Sequence, residues 1–532
     1  MFNDRPMISP EPIVTLENAF ANPYDNAVAA ARTCYSGKGV VYAGDVGKDE
    51  ATRARSDAIA ESIYKAGHHT VIQHATFQFV LDKVSRQFIW SFLHSHPFYN
   101  SEQVSQRYVE VKPENFAIPP LPDAARALYI TTIQRQMDAY QKLIELTAPT
   151  VLAEYRHIFP KRKVDEKQWK SAMKKKQQEV ARYVLPVATH AYMYHTVSGI
   201  TLHRYNRLCG QFDTPLEQRI VVQKMIDAVN AADPQFFKLL EDPIPLEGTI
   251  EYKIFAELFG DSSASNGRSL SGNAAFISEF DRELGGLTSK LIDSKTNAEQ
   301  TMAQAIRSVL GLTRDQMTDS DALERVLNPA RNPSLAQTLN IVSMGKLTRA
   351  MAHPHFTFKK KLSHTADSQD QRHRATPGSR PVLARHFNPD QPDYIVPVVI
   401  QKTPAALELF EITMKEIWSA MRQLLEWGVS EEFVMYLLPN AFPVRFEESG
   451  DLMGFHHKWT SRLCYTAQEE IWKSCLEEVQ QVQKVFPALA RYILPPCGMR
   501  QLAQVKPFCP EGDRFCGVAV WNLPLEEYSR LI

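Results

Sequence analysis

An internal repeat constrains this chain more than any other feature of its sequence. Residues 74–79 (HATFQF) and 353–358 (HPHFTF) both fit the pattern H-x-x-F-x-F. Such alternation predicts a half-buried strand that opens with a histidine. In each half a helical pattern farther along ends in Leu-Pro, at Leu185-Pro186 and at Leu438-Pro439. Motifs that recur in the same order predict two diverged copies of one fold.

The repeat also predicts the domain organisation of the 532 residues. The repeated histidines, His74 and His353, lie farther apart in the sequence than the repeated prolines, Pro186 and Pro439. The first copy therefore carries extra residues between its histidine and its proline. We place these extra residues in the long helical pattern over 129–180. Residues 261–273 are rich in Ser, Gly and Asn, which is typical of a linker. We therefore expect a first copy over 12–245 with a helical insertion at about 125–180, a linker over 246–275, and a second copy over 276–525.

The periodicity within each copy predicts an α+β fold. Helical patterns cover residues 51–66, 124–147, 215–231, 405–427 and 466–485, and strand patterns cover 76–81 and 394–400. Neither G-x-G-x-x-G nor G-x-x-x-x-G-K-[ST] occurs, which makes a Rossmann or P-loop site an unfavourable interpretation.

Charge and hydropathy narrow the class of protein. Lys and Arg total 60 and Asp and Glu total 60, a balance that argues against a nucleic-acid coat or a membrane-surface protein. No stretch approaches the roughly 20 apolar residues of a membrane helix, and the start of the chain lacks the basic and apolar regions of a signal peptide. We expect a cytoplasmic protein. An RNA-associated scaffold that uses the basic runs within 161–176 is the least favoured alternative.

The first copy resembles the flavin-dependent thymidylate synthases through an ordered series of motifs. These are Ala30-Ala31-Arg32-Thr33-Cys34-Tyr35, Gly67-His68, Gln73-His74-Ala75-Thr76-Phe77-Gln78-Phe79, Val84-Ser85-Arg86 and Ser105-Gln106-Arg107-Tyr108. The copy departs from the family at Gln73, which replaces a Glu. It departs again at His94-Ser95-His96-Pro97, which stands where the family has R-H-R.

The second copy resembles the same family at complementary positions. Arg372-His373-Arg374 is an intact R-H-R triplet with Gln369 three residues before it, and the S-x-R motif is shortened to Ser379-Arg380. The family also carries an Arg before the late Leu-Pro and another before a Gln. The first copy has Arg182 and Cys209 at these two places, and the second has Met435 and Arg462.

The resemblance implies a fold, a reaction and a set of site residues. The fold is a small antiparallel sheet packed with long helices. The reaction converts dUMP to dTMP with methylenetetrahydrofolate, NADPH and FAD, and the family's tetramers imply a homodimer of this chain that forms a pseudo-tetramer. The implied cofactor-binding residues are His74, His353, Arg372, His373 and Arg374. The implied nucleotide-binding residues are Gln103, Ser105, Arg107, Arg182, Gln369, Ser379, Arg380 and Arg462.

These residue types suit the implied ligands. Arg offers a planar charged fork that binds phosphate oxygens in pairs, and Gln presents a donor and an acceptor to a pyrimidine edge. Because neither copy holds the full set, we expect a composite site between copies. Three alternatives stay open: a catalytically degenerate flavin- or nucleotide-binding paralogue, a related flavoenzyme that acts on another nucleotide, and, for the triplet itself, a solvated basic loop.

The sequence assigns no metal site. The histidines of the first half include no H-x-x-x-H or H-E-x-x-H pair. Of the seven cysteines, Cys34, Cys209, Cys464 and Cys475 lie in apolar or helical patterns and are expected to be reduced thiols. Cys497, Cys509 and Cys516 crowd the C-terminal region, where three thiols need a fourth ligand to bind zinc and lack C-x-x-C spacing. A structural thiol cluster or an exposed tail is the favoured interpretation.

Overall fold

The computed structural model describes residues 7–94, 98–160, 167–259 and 271–532. These residues form two compact units, each with its own antiparallel sheet. Unit 1 comprises Met1–Gln134, Pro186–Ser269 and Ser419–Leu438, and unit 2 comprises Arg135–Leu185, Leu270–Trp418 and Pro439–Ile532. The α+β fold class and the tandem arrangement predicted from the sequence are confirmed.

Unit 1 is built on a sheet with the order β1-β2-β4-β3. Its strands are β1 (Ile13–Ala19), β2 (Thr76–Ser85), β3 (Asn100–Gln103) and β4 (His190–Ser198). Its helices include α1 (Pro23–Thr33), α2 (Glu50–Lys65), α3 (Arg86–His94), the start of α4 (Asp123–Ile158 in full, which continues into unit 2), α6 (Gly199–Arg207), α7 (Pro215–Ala232) and α8 (Ile250–Phe259). The alternation in the first H-x-x-F-x-F motif points Phe77, Phe79 and Leu81 into the core, where all three are fully buried.

Unit 2 is built on a three-stranded sheet with the order β5-β6-β7. Its strands are β5 (Ser289–Ser294), β6 (His355–Ser363) and β7 (Pro443–Asp451). Its helices include α5 (Lys167–Ala181), α9 (Ser271–Leu284), α10 (Ala298–Leu310), α11 (Asp319–Leu327), α12 (His364–Asp370), α13 (Val398–Gln401), α14 (Pro404–Glu426, which continues into unit 1), α16 (Leu452–Arg462), α17 (Glu469–Val485), α18 (Pro487–Ala490) and α19 (Pro496–Leu502). A further short helix, α15 (Glu431–Val434), belongs to unit 1. None of the described helices is long and apolar enough to cross a membrane.

The central strand pair has the same register in both units. Phe77 pairs with Val197 in unit 1, as Phe356 pairs with Gly450 in unit 2. A bulge between Leu81 and Val84 gives β2 one residue more than β6. The alignment of the two strands therefore shifts by one residue after the bulge, and Ser85 at the end of β2 corresponds to Ser363 at the end of β6. Counted from these serines, the R-H-R triplet corresponds to the segment that begins at His94. Residues 95–97 of that segment lie outside the described part of the chain.

The two units exchange segments of the sequence repeat. In unit 2, the Ala441 amide donates to the Tyr183 carbonyl at 2.8 Å, although Tyr183 belongs to the first sequence copy. In unit 1, the Ala188 amide donates to the carbonyl of Tyr436, from the second copy, at 2.9 Å. The boundaries of 12–245 and 276–525 therefore stay a prediction about the sequence repeat, and each compact unit draws residues from both copies.

Two local predictions can be compared with the structure. The region at about 125–180, where a helical insertion is predicted, is largely occupied by α4 and α5, and the predicted linker contains α8. The strand predicted over 394–400 is wrong: Ile395 donates one backbone hydrogen bond, to the Ala441 carbonyl, and residues from Val398 onward form α13. The cause is Pro397, which lacks an N–H for a strand ladder and instead precedes the first turn of a helix.

Charged side chains occupy the centre of unit 2. Lys360 on β6 lies 2.9 Å from Glu448, 2.8 Å from Glu478 and 3.3 Å from Asp370, and Lys458 lies 2.7 Å from Asp370. All five side chains are fully buried. Burial, followed by the charge of Asp370, raises the pKa of Glu448, and the charges of Lys360 and Lys458 oppose that rise.

The same positions of unit 1 carry apolar and aromatic side chains. Counted along the matched strands and helices, Leu81, Phe92, His195, Tyr205 and Met225 replace the five charged residues. The Phe92 and Tyr205 rings lie 4.3 Å apart, and His195 Nε2 lies 3.0 Å from the Tyr205 hydroxyl. The two units thus share a backbone, but unit 2 has a buried cluster of paired charges where unit 1 has an apolar and aromatic core.

Candidate anion-binding site in unit 2

The R-H-R triplet lies on a turn that follows α12. The Ser363 hydroxyl caps this helix by accepting from the Ala366 amide, and the His373 amide donates to the Asp370 carbonyl at 2.9 Å. Arg372 and Arg374 are exposed on either side of His373. A capped helix and a tight turn therefore hold two guanidinium groups at the surface of unit 2.

Arg462 anchors this turn from the last residue of α16. Its Nε donates to His373 Nε2 at 2.9 Å, and its Nη2 donates to the Gln369 carbonyl at 3.0 Å. Burial, followed by the charge of Arg462, lowers the pKa of His373 well below its usual value. His373 is therefore a neutral imidazole whose Nε2 is an acceptor, consistent with the hydrogen bond that it receives.

A chain of buried polar side chains fixes Gln369. Its Nε2 donates to Gln468 Oε1 at 3.3 Å, Gln468 Nε2 donates to the Tyr183 hydroxyl, and that hydroxyl donates to Glu470. The Ser363 hydroxyl also donates to Glu470, at 2.6 Å. The chain links Gln369 to a tyrosine from the first sequence copy.

Arg182 enters unit 2 next to this tyrosine. Its side chain is buried, and its carbonyl accepts from Asn440 Nδ2 at 2.9 Å. Burial raises the pKa of Glu470, and the hydrogen bonds from Ser363 and Tyr183 together with the charge of Arg182 oppose that rise. The segment exchange thus adds an arginine of the first copy to the unit that carries the triplet, Gln369 and Arg462.

The shortened S-x-R motif does not take part in this arrangement. The Arg380 side chain lies 2.9 Å from Asp367 and 3.4 Å from Asp370, and its guanidinium carbon lies 4.0 Å from the Phe446 ring centroid. Ser379 is exposed, and its amide donates to the backbone carbonyl of Glu447. The guanidinium of Arg380 is therefore engaged within the protein.

The sheet register gives this motif a different counterpart from the one inferred from the sequence. Gly378 forms a bridge with Glu448, as Ser101 pairs with His195 in unit 1. Arg380 therefore corresponds to Gln103 and not to Arg107, because both lie two residues beyond the bridged position.

The remaining predicted residues are Gln103, Ser105, Arg107 and His74 in unit 1 and His353 in unit 2. In unit 1, Gln103 Oε1 accepts from Arg86 at 2.9 Å, the Ser105 hydroxyl accepts from the Arg107 amide at 3.3 Å, and the Arg107 guanidinium lies 5.4 Å from the Tyr108 ring centroid. The structure thus brings Ser105 and Arg107 together. The histidines that open the repeated strands, His74 and His353, are exposed.

Unit 1 lacks the arginines of unit 2. Met435 stands at the position of Arg182 and Cys209 at that of Arg462, and the side chains of both are buried. The buried triad of Ser85, Glu217 and Tyr436 nevertheless repeats that of Ser363, Glu470 and Tyr183, with the Tyr436 hydroxyl 2.5 Å from Glu217. The scaffold is therefore kept in both units, whereas the arginines at these two positions are present in unit 2.

Sequence reasoning missed Gln468, Tyr183 and Glu470 as parts of the site. The repeat contained a signal for Tyr183 and Glu470. Tyr183 and Tyr436 directly follow the matched positions Arg182 and Met435, and Glu217 and Glu470 lie at matched positions in the first turns of α7 and α17. Both pairs match when the copies are aligned.

Four thiols also converge in unit 2. Cys464, Cys497, Cys509 and Cys516 line one cavity, and none is in a disulfide. Burial raises the pKa of Cys497 to about 12, and the nearby Cys464, Cys516 and Cys509 add to the rise. Among the described residues, no group of three or more His, Cys, Asp or Glu side chains is arranged to hold a metal ion. The sequence grouped three of these cysteines and missed Cys464.

Comparison with known proteins agrees with the repeat. A profile of the family described as "Thymidylate synthase complementing protein" matches residues 15–235 and 290–488. A protein from Clostridium tetani named flavin-dependent thymidylate synthase is 29% identical over 222 residues, which cover 41% of this chain and 82% of that protein. Proteins of the same name from Saccharolobus solfataricus (30% identical; 28% of this chain and 56% of that protein) and Geobacter sulfurreducens (29%; 34% and 75%) are also similar. The chain therefore belongs to the thymidylate synthase complementing protein family, whose sequence it contains twice.

Proposed function

We propose that this protein is a flavin-dependent enzyme that transfers a one-carbon group to a pyrimidine nucleotide, converting dUMP to dTMP with methylenetetrahydrofolate and NADPH. The observation that carries the proposal is the group of Arg182, Arg372, Arg462 and Gln369 within unit 2. The relatives named flavin-dependent thymidylate synthase support the same reaction.

Arg182 and Arg462 are the proposed phosphate ligands of the nucleotide. Two permanently charged forks suit the oxygens of a monophosphate. Gln369 is the proposed reader of the pyrimidine edge, because its side chain carries both a donor and an acceptor. The hydrogen bond to Gln468 leaves part of that capacity for a ligand and restricts the amide orientation. The nucleotide would thus meet residues of both sequence copies, as a composite site requires.

Arg372, Arg374 and His353 are the proposed residues for FAD. The exposed guanidinium groups of the triplet fit a dinucleotide pyrophosphate. His373 suits the proposed FAD site as a neutral imidazole whose Nε2 accepts a hydrogen bond from Arg462. When bound, reduced FAD supplies the hydride of the reaction, while these side chains bind and orient it. Gln103, Ser105, Arg107 and His74 remain predicted ligands carried by unit 1.

A catalytically degenerate flavin- or nucleotide-binding paralogue is the second candidate. It is favoured by the buried Met435 and Cys209 at two arginine positions and by the internal pairing of Arg380. Under this proposal the protein binds FAD or nucleotide and does not turn over.

The test combines flavin absorbance with product formation. Purified full-length protein is given FAD, then dUMP, and the visible flavin band is followed. Tritium release from [5-³H]dUMP is then measured with methylenetetrahydrofolate and NADPH. We expect a flavin band that shifts with dUMP, tritium release, and loss of both responses in Arg372→Ala but not in Arg314→Ala, an exposed arginine of unit 2. Flavin binding without release would favour the degenerate paralogue, and no bound-flavin band would contradict the flavin-dependent enzyme.

We further propose that the chain forms a homodimer in the cytoplasm, so that four copies of the repeat assemble. Light scattering on the purified protein would give the mass of two chains, and the mass of one chain would contradict this assembly.

A further inference from the structure

A wide groove lies in unit 2 beside the end of α11. It is lined by the last turns of that helix and by parts of the segments 331–334 and 341–348, which lead towards β6. Its volume is about 620 Å³, which is within the range of known small-molecule sites, roughly 300–1,000 Å³. The groove therefore has room for part of an organic ligand.

The groove carries positive charge and no acidic side chain. Arg325, Arg331 and Lys346 contribute to its lining, and no Asp or Glu does. Residues 325–366 as a whole contain neither Asp nor Glu. At the average of the chain, 60 in 532 residues, a stretch of this length would carry about five. We name this site the cationic groove, and its charge favours an anionic ligand.

Two of its three cations have no partner of opposite charge. The Arg325 side chain lies 2.8 Å from Asp321 on its own helix and is therefore engaged within the protein. Arg331 and Lys346 are exposed and form no ion pair within the part of the chain that the structure describes. These two side chains can therefore pair with a ligand without breaking a contact in the protein.

Apolar side chains share the groove with the cations. Met344 is 80% exposed and Ile341 is 37% exposed, and both line the groove. A ligand that covers them removes apolar surface from water, which stabilises the complex. The flexible Met side chain adapts to the shape of a ring and makes favourable contacts with aromatic groups. The lining therefore suits a molecule that joins an aromatic ring to several anionic groups.

The cationic groove lies close to the R-H-R triplet. Asn340, the residue before Ile341, has its Nδ2 2.9 Å from His457 Nδ1. The His457 ring centroid is in turn 5.9 Å from that of His373 in the triplet. Only two side chains thus separate the triplet from the segment that lines the groove. A ligand bound beside the flavin proposed at the triplet has a short path to the groove.

We propose that the cationic groove binds the glutamate tail of the folate co-substrate and selects oligoglutamyl over monoglutamyl forms. This inference rests on the proposed function. The p-aminobenzoyl ring packs against Met344 and Ile341, and carboxylates of the γ-linked glutamates pair with Arg331 and Lys346. Because each added glutamate brings one more carboxylate, affinity rises with the length of the tail and falls as salt screens the charges.

The first test uses a tail without its pteridine. p-Aminobenzoyl-pentaglutamate is titrated into the full-length protein by calorimetry at low and at high salt. We expect binding that weakens with salt, and Arg331→Ala and Lys346→Ala should each raise the dissociation constant roughly two- to five-fold. Lys402→Ala is the matched control, since Lys402 is an exposed cation of unit 2 outside the lining. No binding of the probe, or an equal loss in Lys402→Ala, would overturn the proposal.

The second test compares two forms of the co-substrate in the tritium-release reaction. The KM for pentaglutamyl methylenetetrahydrofolate should be roughly tenfold below that for the monoglutamyl form, and combining Arg331→Ala with Lys346→Ala should bring the two values together. A double variant that changes the KM for NADPH and keeps the difference between tail lengths would overturn the proposal in favour of the 2′-phosphate of NADPH. Specific binding of the probe without turnover would support the groove and contradict the proposed reaction.

Discussion

Single side chains account for the difference between the two copies. Arg182 and Arg462 of unit 2 are replaced by Met435 and Cys209 at the matching positions of unit 1, which has the same backbone scaffold. The resemblance to the family singled out both arginines, and their role as phosphate ligands, which suits the Arg side chain, stays a prediction. The side chains that hold Gln369 could not be predicted, since they become neighbours only through folding.

Arg462→Cys should weaken dUMP binding. The substitution gives unit 2 the residue of unit 1 and removes a charged donor, which contributes about 1.5–3 kcal/mol. The dissociation constant measured by calorimetry should rise roughly 10- to 100-fold. Arg462→Lys keeps the charge but not the fork, so its loss should be intermediate. Met435→Leu is the control in unit 1, and equal losses in Met435→Leu and Arg462→Cys would refute the assignment.

Glu432 should make stability depend on pH. Its carboxyl accepts from the Leu216 amide at 2.9 Å at the start of α7, and burial raises its pKa to about 7 against the lowering effect of that hydrogen bond. Because the folded-state pKa exceeds the unfolded value, the stabilisation is complete below about pH 4 and is lost as the pH rises through 7. Glu432→Gln keeps the acceptor without the charge.

The thermal midpoints of wild type and Glu432→Gln should be compared at pH 5 and pH 8. We expect similar midpoints at the lower pH and a more stable variant at the higher one, by about 1–2 kcal/mol. A variant that is no more stable at pH 8 would show that the carboxyl ionises in the fold without cost.

Helices and strands were predicted well where one chemical pattern runs over many residues. The predicted helix over 215–231 corresponds to α7 (Pro215–Ala232), and the repeated strand motif corresponds to β2 and β6. The strand predicted over 394–400 is wrong, because Pro397 interrupts the apolar run and precedes a helix. The sequence patterns also did not indicate the segment exchange. The exchange depends on long-range pairing, such as that of Tyr183 with Glu470, which no local pattern encodes.

The exchanged tyrosines offer a matched pair of variants. Tyr183→Phe and Tyr436→Phe each remove a buried hydroxyl that donates to a glutamate, so each should lower the unfolding free energy by about 1–2 kcal/mol. Only Tyr183 is also bonded to Gln468, which holds Gln369. Melting curves should therefore change in both variants and dUMP affinity in Tyr183→Phe alone. A similar loss of affinity in Tyr436→Phe would contradict this role for the polar chain.

The whole molecule combines duplication with specialisation. Both compact units keep the sheet and the Ser-Glu-Tyr triad, while unit 2 alone carries the arginine group, the buried charge cluster and the cysteine cavity among the described residues. The sequence repeat predicted the duplication. It did not predict the charge cluster, because Lys360 and Lys458 lie far apart in the sequence and each reads as an exposed residue.

We propose that each chain has one nucleotide site, in unit 2. A calorimetric titration of dUMP into the FAD-loaded full-length protein gives the number of sites per chain. We predict one site per chain, and predict that Arg182→Met combined with Arg462→Cys abolishes it. Two equivalent sites per chain, or one site that survives the double substitution, would contradict this proposal.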